Sequence, residues 1–166
     1  MENLANIDKV EGSEYPSTGL AYEFAKLSYE WLINRFEAMN GRIQGLLTLG
    51  TAITVAVPVF TKAISQSLSF HSVWFYGAMA AYTLFALMGF LGLRLGKLTL
   101  VHPMKLYNDW LGDSPWEFQK NSIYFAGQHF QHNNKAIEMK NSLRDIMTIF
   151  LLAEVGCAIV WIAIAI

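Results

Sequence analysis

Glu154 is the residue of this sequence with the clearest chemical consequence. It stands in the run 146–166, which holds no other charged side chain. A carboxylate at the centre of a bilayer costs roughly 3 kcal/mol or more, so such residues face a bundle interior or a water path. Two uses follow. Glu154 lines a pore or takes part in proton or cation movement, or it is a hydrogen-bonded structural carboxyl that holds an oligomer together. No Lys or Arg lies in any of the three apolar runs to pair with it. Gln44, Thr48 and Thr51 form a second polar feature. Their spacing puts them on one helix face inside the first apolar run, as a pore lining or a helix contact. Threonine hydroxyls also satisfy themselves on their own helix backbone, so packing alone accounts for the same stripe.

The remaining polar residues give weaker signals. Arg42, Arg94, Lys97, Lys135, Lys140 and Arg144 flank the apolar runs and suit anionic headgroups or an anionic cytoplasmic ligand. His129 and His132 are three apart, but no acidic residue lies one turn away. They read as a solvated helix face and not as metal ligands. His71 and His102 flank the runs and look interfacial. Cys157 is the single cysteine, so no internal disulfide forms. The sequence has no GxSxG, HExxH, GxGxxG or phosphate loop. No catalytic residue, metal or cofactor is assigned.

These residues sit on helices of a membrane protein. Charged residues make up 15% of the 166, against about a quarter in soluble domains. They are absent between Arg42 and Lys62 and again between Lys62 and Arg94. Each uncharged run reaches the ~20 residues a membrane helix needs. The predicted fold class is all-α: an integral membrane protein with about three transmembrane helices, the first and third continuing into long cytoplasmic amphipathic helices. Residues 1–16 form a polar, flexible N-terminus without signal-peptide features. Residues 17–42 form an amphipathic helix, with Leu20, Phe24, Leu27 and Trp31 as its apolar stripe and Glu23, Lys26, Glu30, Asn34 and Glu37 as its polar one. It runs unbroken into the first span, 43–60, with Pro58 near the outer end. A short external connection, 61–71, leads to the second span, 72–93. Gly92 and Gly96 form a GxxxG pair suited to close helix contact. Residues 94–114 are a cytoplasmic interfacial loop.

Ser114, Pro115 and Glu117 make a capping box that opens a helix over 115–145. No proline follows, so this helix continues into the third span, 146–166, unless Gly127 or Asn133 kinks it. Lys and Arg are concentrated before the first span and between the second and third; the 61–71 connection holds only Lys62. By the positive-inside rule the N-terminus and the 94–145 segment are cytoplasmic. A net charge of −1 gives no bulk attraction to nucleic acid.

The layout resembles the transmembrane effectors of Pycsar anti-phage systems, with the membrane components of Hailong-type systems as relatives. Three parts carry the resemblance. An amphipathic helix leads to span one through Asn40-Gly41-Arg42-Ile43-Gln44-Gly45-Leu46-Leu47. A P-x-x-x-Y segment, Pro103 to Tyr107, follows span two. A long helix then carries Asn134-Lys135-Ala136 and Lys140-Asn141-Ser142-Leu143-Arg144 into the last span. The likeness covers most of the chain from about residue 25. The family often has an Asp-x-Lys-Ala approach to span one, where this chain has Asn40-Gly41-Arg42. No nucleotide-sensing domain is visible, so cyclic-nucleotide recognition does not carry over. The resemblance implies an effector of abortive infection in the bacterial inner membrane. It would be held silent by a nucleotide-type ligand or a partner, then oligomerise and permeabilise the bilayer. Implied partners are lipid, further copies of the chain, and an anionic nucleotide, an oligonucleotide or a signalling nucleotidyltransferase. The alternative is a non-conducting membrane anchor or assembly subunit that recruits a cytoplasmic partner.

Overall fold

A computed structural model describes residues 16–64, 72–100, 104, 106–110 and 112–165. The chain is an all-α membrane protein. Its three long helices are α1 (Thr18–Ile64), α2 (Val73–Arg94) and α3 (Pro115–Ala165). Each is long and apolar enough to cross a membrane. A short π-helical turn, Leu106–Trp110, lies between α2 and α3. The N-terminal segment 1–15, most of the 61–71 connection, His71, His102, Pro103 and Lys105 lie outside the described residues.

Local signals account for the helix ends. Ser72 caps α2, its hydroxyl accepting from the Trp74 N–H at 3.3 Å. At the far end Gly96 takes a positive φ of 72°, the left-handed conformation that glycine adopts most readily just past a helix terminus. Gly96 therefore lies beyond α2 and does not extend a GxxxG stripe along it, as the sequence suggested. The capping box of α3 is formed as expected: the Ser114 N–H donates to Glu117 Oε2 at 3.1 Å and the Glu117 N–H to Ser114 Oγ at 3.3 Å. Neither Gly127 nor Asn133 breaks α3, which runs for 51 residues.

The chain divides into two compact units. The membrane unit comprises Phe36–Gly96 and Ala136–Ile166. Its core is Met39 and Ile43 from α1, Phe85 from α2, and Met147 and Leu151 from α3. Close approach is set by two glycines: a Cβ at Gly50 would run into the Phe85 ring, and one at Gly89 would lie within 2.9 Å of Leu47 and Met147. Leu84, Leu87 and Phe90 of α2 and Ile149, Leu152 and Ile159 of α3 point outward. In hydrocarbon these large side chains need no protein cover.

The second, polar unit comprises residues up to Arg35 together with Lys97–Lys135. Trp110 is buried, with ring centroids 5.9 Å from Phe118 and 5.2 Å from Phe125. Phe118 reaches Tyr22 of α1 at 6.4 Å. Asn133 is fully buried and clamps Thr99 by two bonds. It accepts from the Thr99 N–H at 2.8 Å and donates to the Thr99 carbonyl at 3.0 Å, which also receives the Tyr29 hydroxyl. Residues 18–42 lie in α1 as one unbroken helix. The side of α1 that packs within the unit carries Tyr22, Tyr29 and Leu32, and the stripe Leu20, Phe24, Leu27 and Trp31 is exposed.

Candidate functional site

The membrane unit contains two buried polar groups and one outward polar stripe. Glu154 is the first group. It is 2% exposed, and its Oε1 accepts from the Thr54 hydroxyl at 2.5 Å. Its Oε2 is buried without a hydrogen-bond partner among the described residues. Beside it is a cavity of about 20 Å³ lined by Ile53, Pro58, Phe75, Ala78, Ala158 and Trp161, room for a single water. Of the two uses the sequence leaves open for Glu154, pore lining and a hydrogen-bonded structural carboxyl, this geometry in the single chain is that of a hydrogen-bonded carboxyl. The helical phase of α3 turns this carboxyl toward α1 and α2 of its own chain. The arrangement can tie α1 to α3 and hold one proton or one water.

Lys140 is the second group, and the structure overturns its expected place at the headgroups. It is 0% exposed. Its Nζ donates to Asn40 Oδ1 at 2.9 Å and to the Gly92 carbonyl at 2.5 Å, and stands 4.7 Å from the centroid of the Phe36 ring. Among the described residues no carboxylate approaches it; the ion pair found there joins Arg144 to Asp145 at 2.6 Å. Among the described residues the ammonium is compensated by two oxygens and an aromatic face. Burial pushes the Lys140 ammonium below the ordinary lysine range. Gly92 serves this site by exposing its carbonyl and by leaving room for Ile43, whose Cδ1 would stand 3.1 Å from an added Cβ. The sequence marked both residues but not their pairing, since Asn40, Gly92 and Lys140 come from three helices with 48 and 100 positions between the bonded pairs.

Gln44, Thr48 and Thr51 are all exposed on α1. The Thr48 hydroxyl donates to the Gln44 carbonyl at 3.0 Å and that of Thr51 to the Leu47 carbonyl at 2.8 Å, the self-satisfied arrangement that makes threonine cheap in lipid. Thr51 also meets the Tyr82 hydroxyl at 3.1 Å. The Gln44 amide has no hydrogen-bond partner among the described residues. Thr54, three residues on from Thr51, is the one that reaches Glu154.

Arg42 is exposed, and Arg94 lies 5.2 Å over the Phe90 ring. Lys97 and Lys135 are exposed and belong to the polar unit. His129 is half-buried against Phe125, whereas His132 is exposed. Among the described residues no three His, Cys, Asp or Glu side chains come together as metal ligands would.

The fold and these groups define a class, an all-α membrane protein with three helices able to span a bilayer. Comparison with protein-family models, with curated proteins and with solved structures finds no match.

Proposed function

We propose that this chain is a membrane effector of the anti-phage type, whose copies associate in the bacterial cell membrane and let ions cross it. The observation that carries this reading is the outward direction of Gln44, Thr48 and Thr51. A glutamine amide with no partner among the described residues is costly against lipid. It is satisfied where copies meet or where water enters between them. A single copy encloses no path, because its interior is filled by Phe85, Met147 and Leu151. Conduction therefore belongs to an assembly. The N-terminus and the 94–145 segment lie on the cytoplasmic side, where exposed Lys97 and Lys135 of the polar unit offer positive charge to an anionic nucleotide-type trigger.

The test is potassium efflux from vesicles holding the purified protein, alongside membrane potential in induced cells. The combined variant Gln44→Leu, Thr48→Val, Thr51→Val should conduct at least tenfold less while still inserting. Membrane potential unchanged on induction of the parent protein refutes the reading.

A second reading, a non-conducting subunit that recruits a soluble partner, is favoured by one observation. The polar unit builds its own aromatic core around Trp110 and its own clamp at Asn133, more structure than an anchor for three spans needs. Co-purification of a soluble protein from detergent extracts, together with silent vesicles, would decide for it.

A further inference from the structure

One line of residues on α1 stays exposed from Leu20 to Val59. Within the polar unit it carries Leu20, Phe24, Leu27 and Trp31, which are 53–77% exposed. Within the membrane unit it carries Ala38, Gly41, Gly45, Thr48 and Ala52, then Val55 and Val59, again all exposed. The steps alternate between three and four residues without a slip, with Asn34 filling the place between Trp31 and Ala38. This is the 3.5-residue repeat by which one helix meets another in a left-handed coil.

Three features distinguish the line from a surface merely covered by lipid. The membrane part of this line is small from Ala38 through Gly41, Gly45, Thr48 and Ala52, and small residues are what lets two membrane helices approach. Gly41 and Gly45 do nothing for the chain's own packing, because a Cβ at either would meet no atom within 4 Å. Outside the span the same line turns to large apolar side chains, which in water require a partner.

Charge identifies that partner. In the repeat, Leu20, Leu27, Asn34 and Gly41 occupy one core position and Phe24, Trp31, Ala38 and Gly45 the other. The flanking positions then hold Glu30 and Glu37 on one side and Arg35 and Arg42 on the other. In a parallel, in-register coil a flanking residue faces the opposite flank five positions on in its neighbour. Glu30 then meets Arg35, and Glu37 meets Arg42, of another copy. Among the described residues none of these four has an ion pair within its own chain. An antiparallel coil would set Glu against Glu and Arg against Arg.

We infer that α1 is a self-recognition helix, which docks in parallel and in register on the α1 of a second copy of this chain, with Gly41 and Gly45 at the point of closest approach. This rests on the reading that copies associate, and it names where they meet. Gln44 and Thr51 flank the same seam, so their polar groups are brought to the junction between copies.

The test is disulfide cross-linking of the full chain in native membranes, with Cys157 replaced by Ala. Leu27→Cys and Thr48→Cys should form covalent dimers under mild oxidation; Leu87→Cys and Ile149→Cys should not. Adding Glu30→Arg with Glu37→Arg should cut the Leu27→Cys dimer at least tenfold, and further adding Arg35→Glu with Arg42→Glu should restore it. Differently tagged copies of the two double variants should cross-link with each other and not with themselves. Gly41→Ile with Gly45→Ile should lose the Thr48→Cys dimer while the protein keeps its helicity and membrane insertion. Cross-linking through Leu87→Cys or Ile149→Cys in a protein that is multimeric by native mass overturns the seam and leaves the functional reading standing. Failure of the charge-restored variant overturns the parallel register. A seam dimer in silent vesicles supports the seam and refutes only the conduction. A protein monomeric by native mass overturns both.

Discussion

Replacing Lys140 should separate the volume of its side chain from its charge. Lys140→Ala removes three buried methylenes, worth about 2.4 kcal/mol at ~0.8 kcal/mol each. It also leaves the buried Gly92 carbonyl without a donor, a further ~1–3 kcal/mol. Against this, an ammonium with no carboxylate beside it no longer has to be desolvated. The balance is a loss of about 3 kcal/mol, or ~9 °C in unfolding temperature at roughly 3 °C per kcal/mol for a chain of this size. Lys140→Met fills nearly the same volume. Its unmet acceptor and its relief from charge burial offset one another, so it should stay within ~3 °C of the parent. The assay is unfolding in detergent followed by tryptophan fluorescence. pH adds a second axis. Because burial lowers the Lys140 pKa from the usual 10.5, the unfolded chain holds this proton more tightly than the folded one. Stability must then rise with pH from the lowered pKa up toward 10.5, and the burial penalty is fully present below that window. The parent should gain stability relative to Lys140→Met as pH is raised through it. An alanine variant as stable as the parent, or a parent that loses stability relative to Lys140→Met on alkalinisation, would refute the buried site.

Three further outcomes are expected. Glu154→Gln keeps an acceptor for the Thr54 hydroxyl and should shift stability by less than ~1 kcal/mol, whereas Thr54→Val leaves Glu154 with no donor and should cost ~1–3 kcal/mol; thermal melts in detergent read both, and vesicle flux should follow stability and not carboxyl charge. Asn133→Ala breaks both bonds to Thr99 in the polar unit and should cost ~2–3 kcal/mol, seen as faster amide exchange across residues 97–100. Gly127 lies inside α3 with nothing within 4 Å of an added Cβ, so Gly127→Ala should raise stability by about 0.5–1 kcal/mol, whereas Gly89→Val drives atoms into Leu47 and Met147 and should lower it by ~1–3 kcal/mol.

The long helices were legible because their signals are local. The charge gaps, the Ser114–Glu117 box and the missing breaker after Pro115 are properties of neighbouring residues, and α1 and α3 follow from them. The stop of the second span near Arg94 was equally local. The sites were legible only as residue types. Glu154 and Lys140 stand out in sequence because charge is rare in and beside apolar runs.

Where those two point is a tertiary outcome. The phase of α3 against α1 and α2 decides that Glu154 finds Thr54 and not Thr51, and that Lys140 turns inward to Asn40 and Gly92 and not outward to headgroups. The same holds for α1. Its 3.5-residue line of Leu20 to Val59 is written in the sequence, but periodicity says only that one face differs from the others. Tertiary packing chose Tyr22, Tyr29 and Leu32 for the polar unit's interior and left that line uncovered, because a helix has one circumference and whichever stripe its own chain does not bury remains for lipid or another chain.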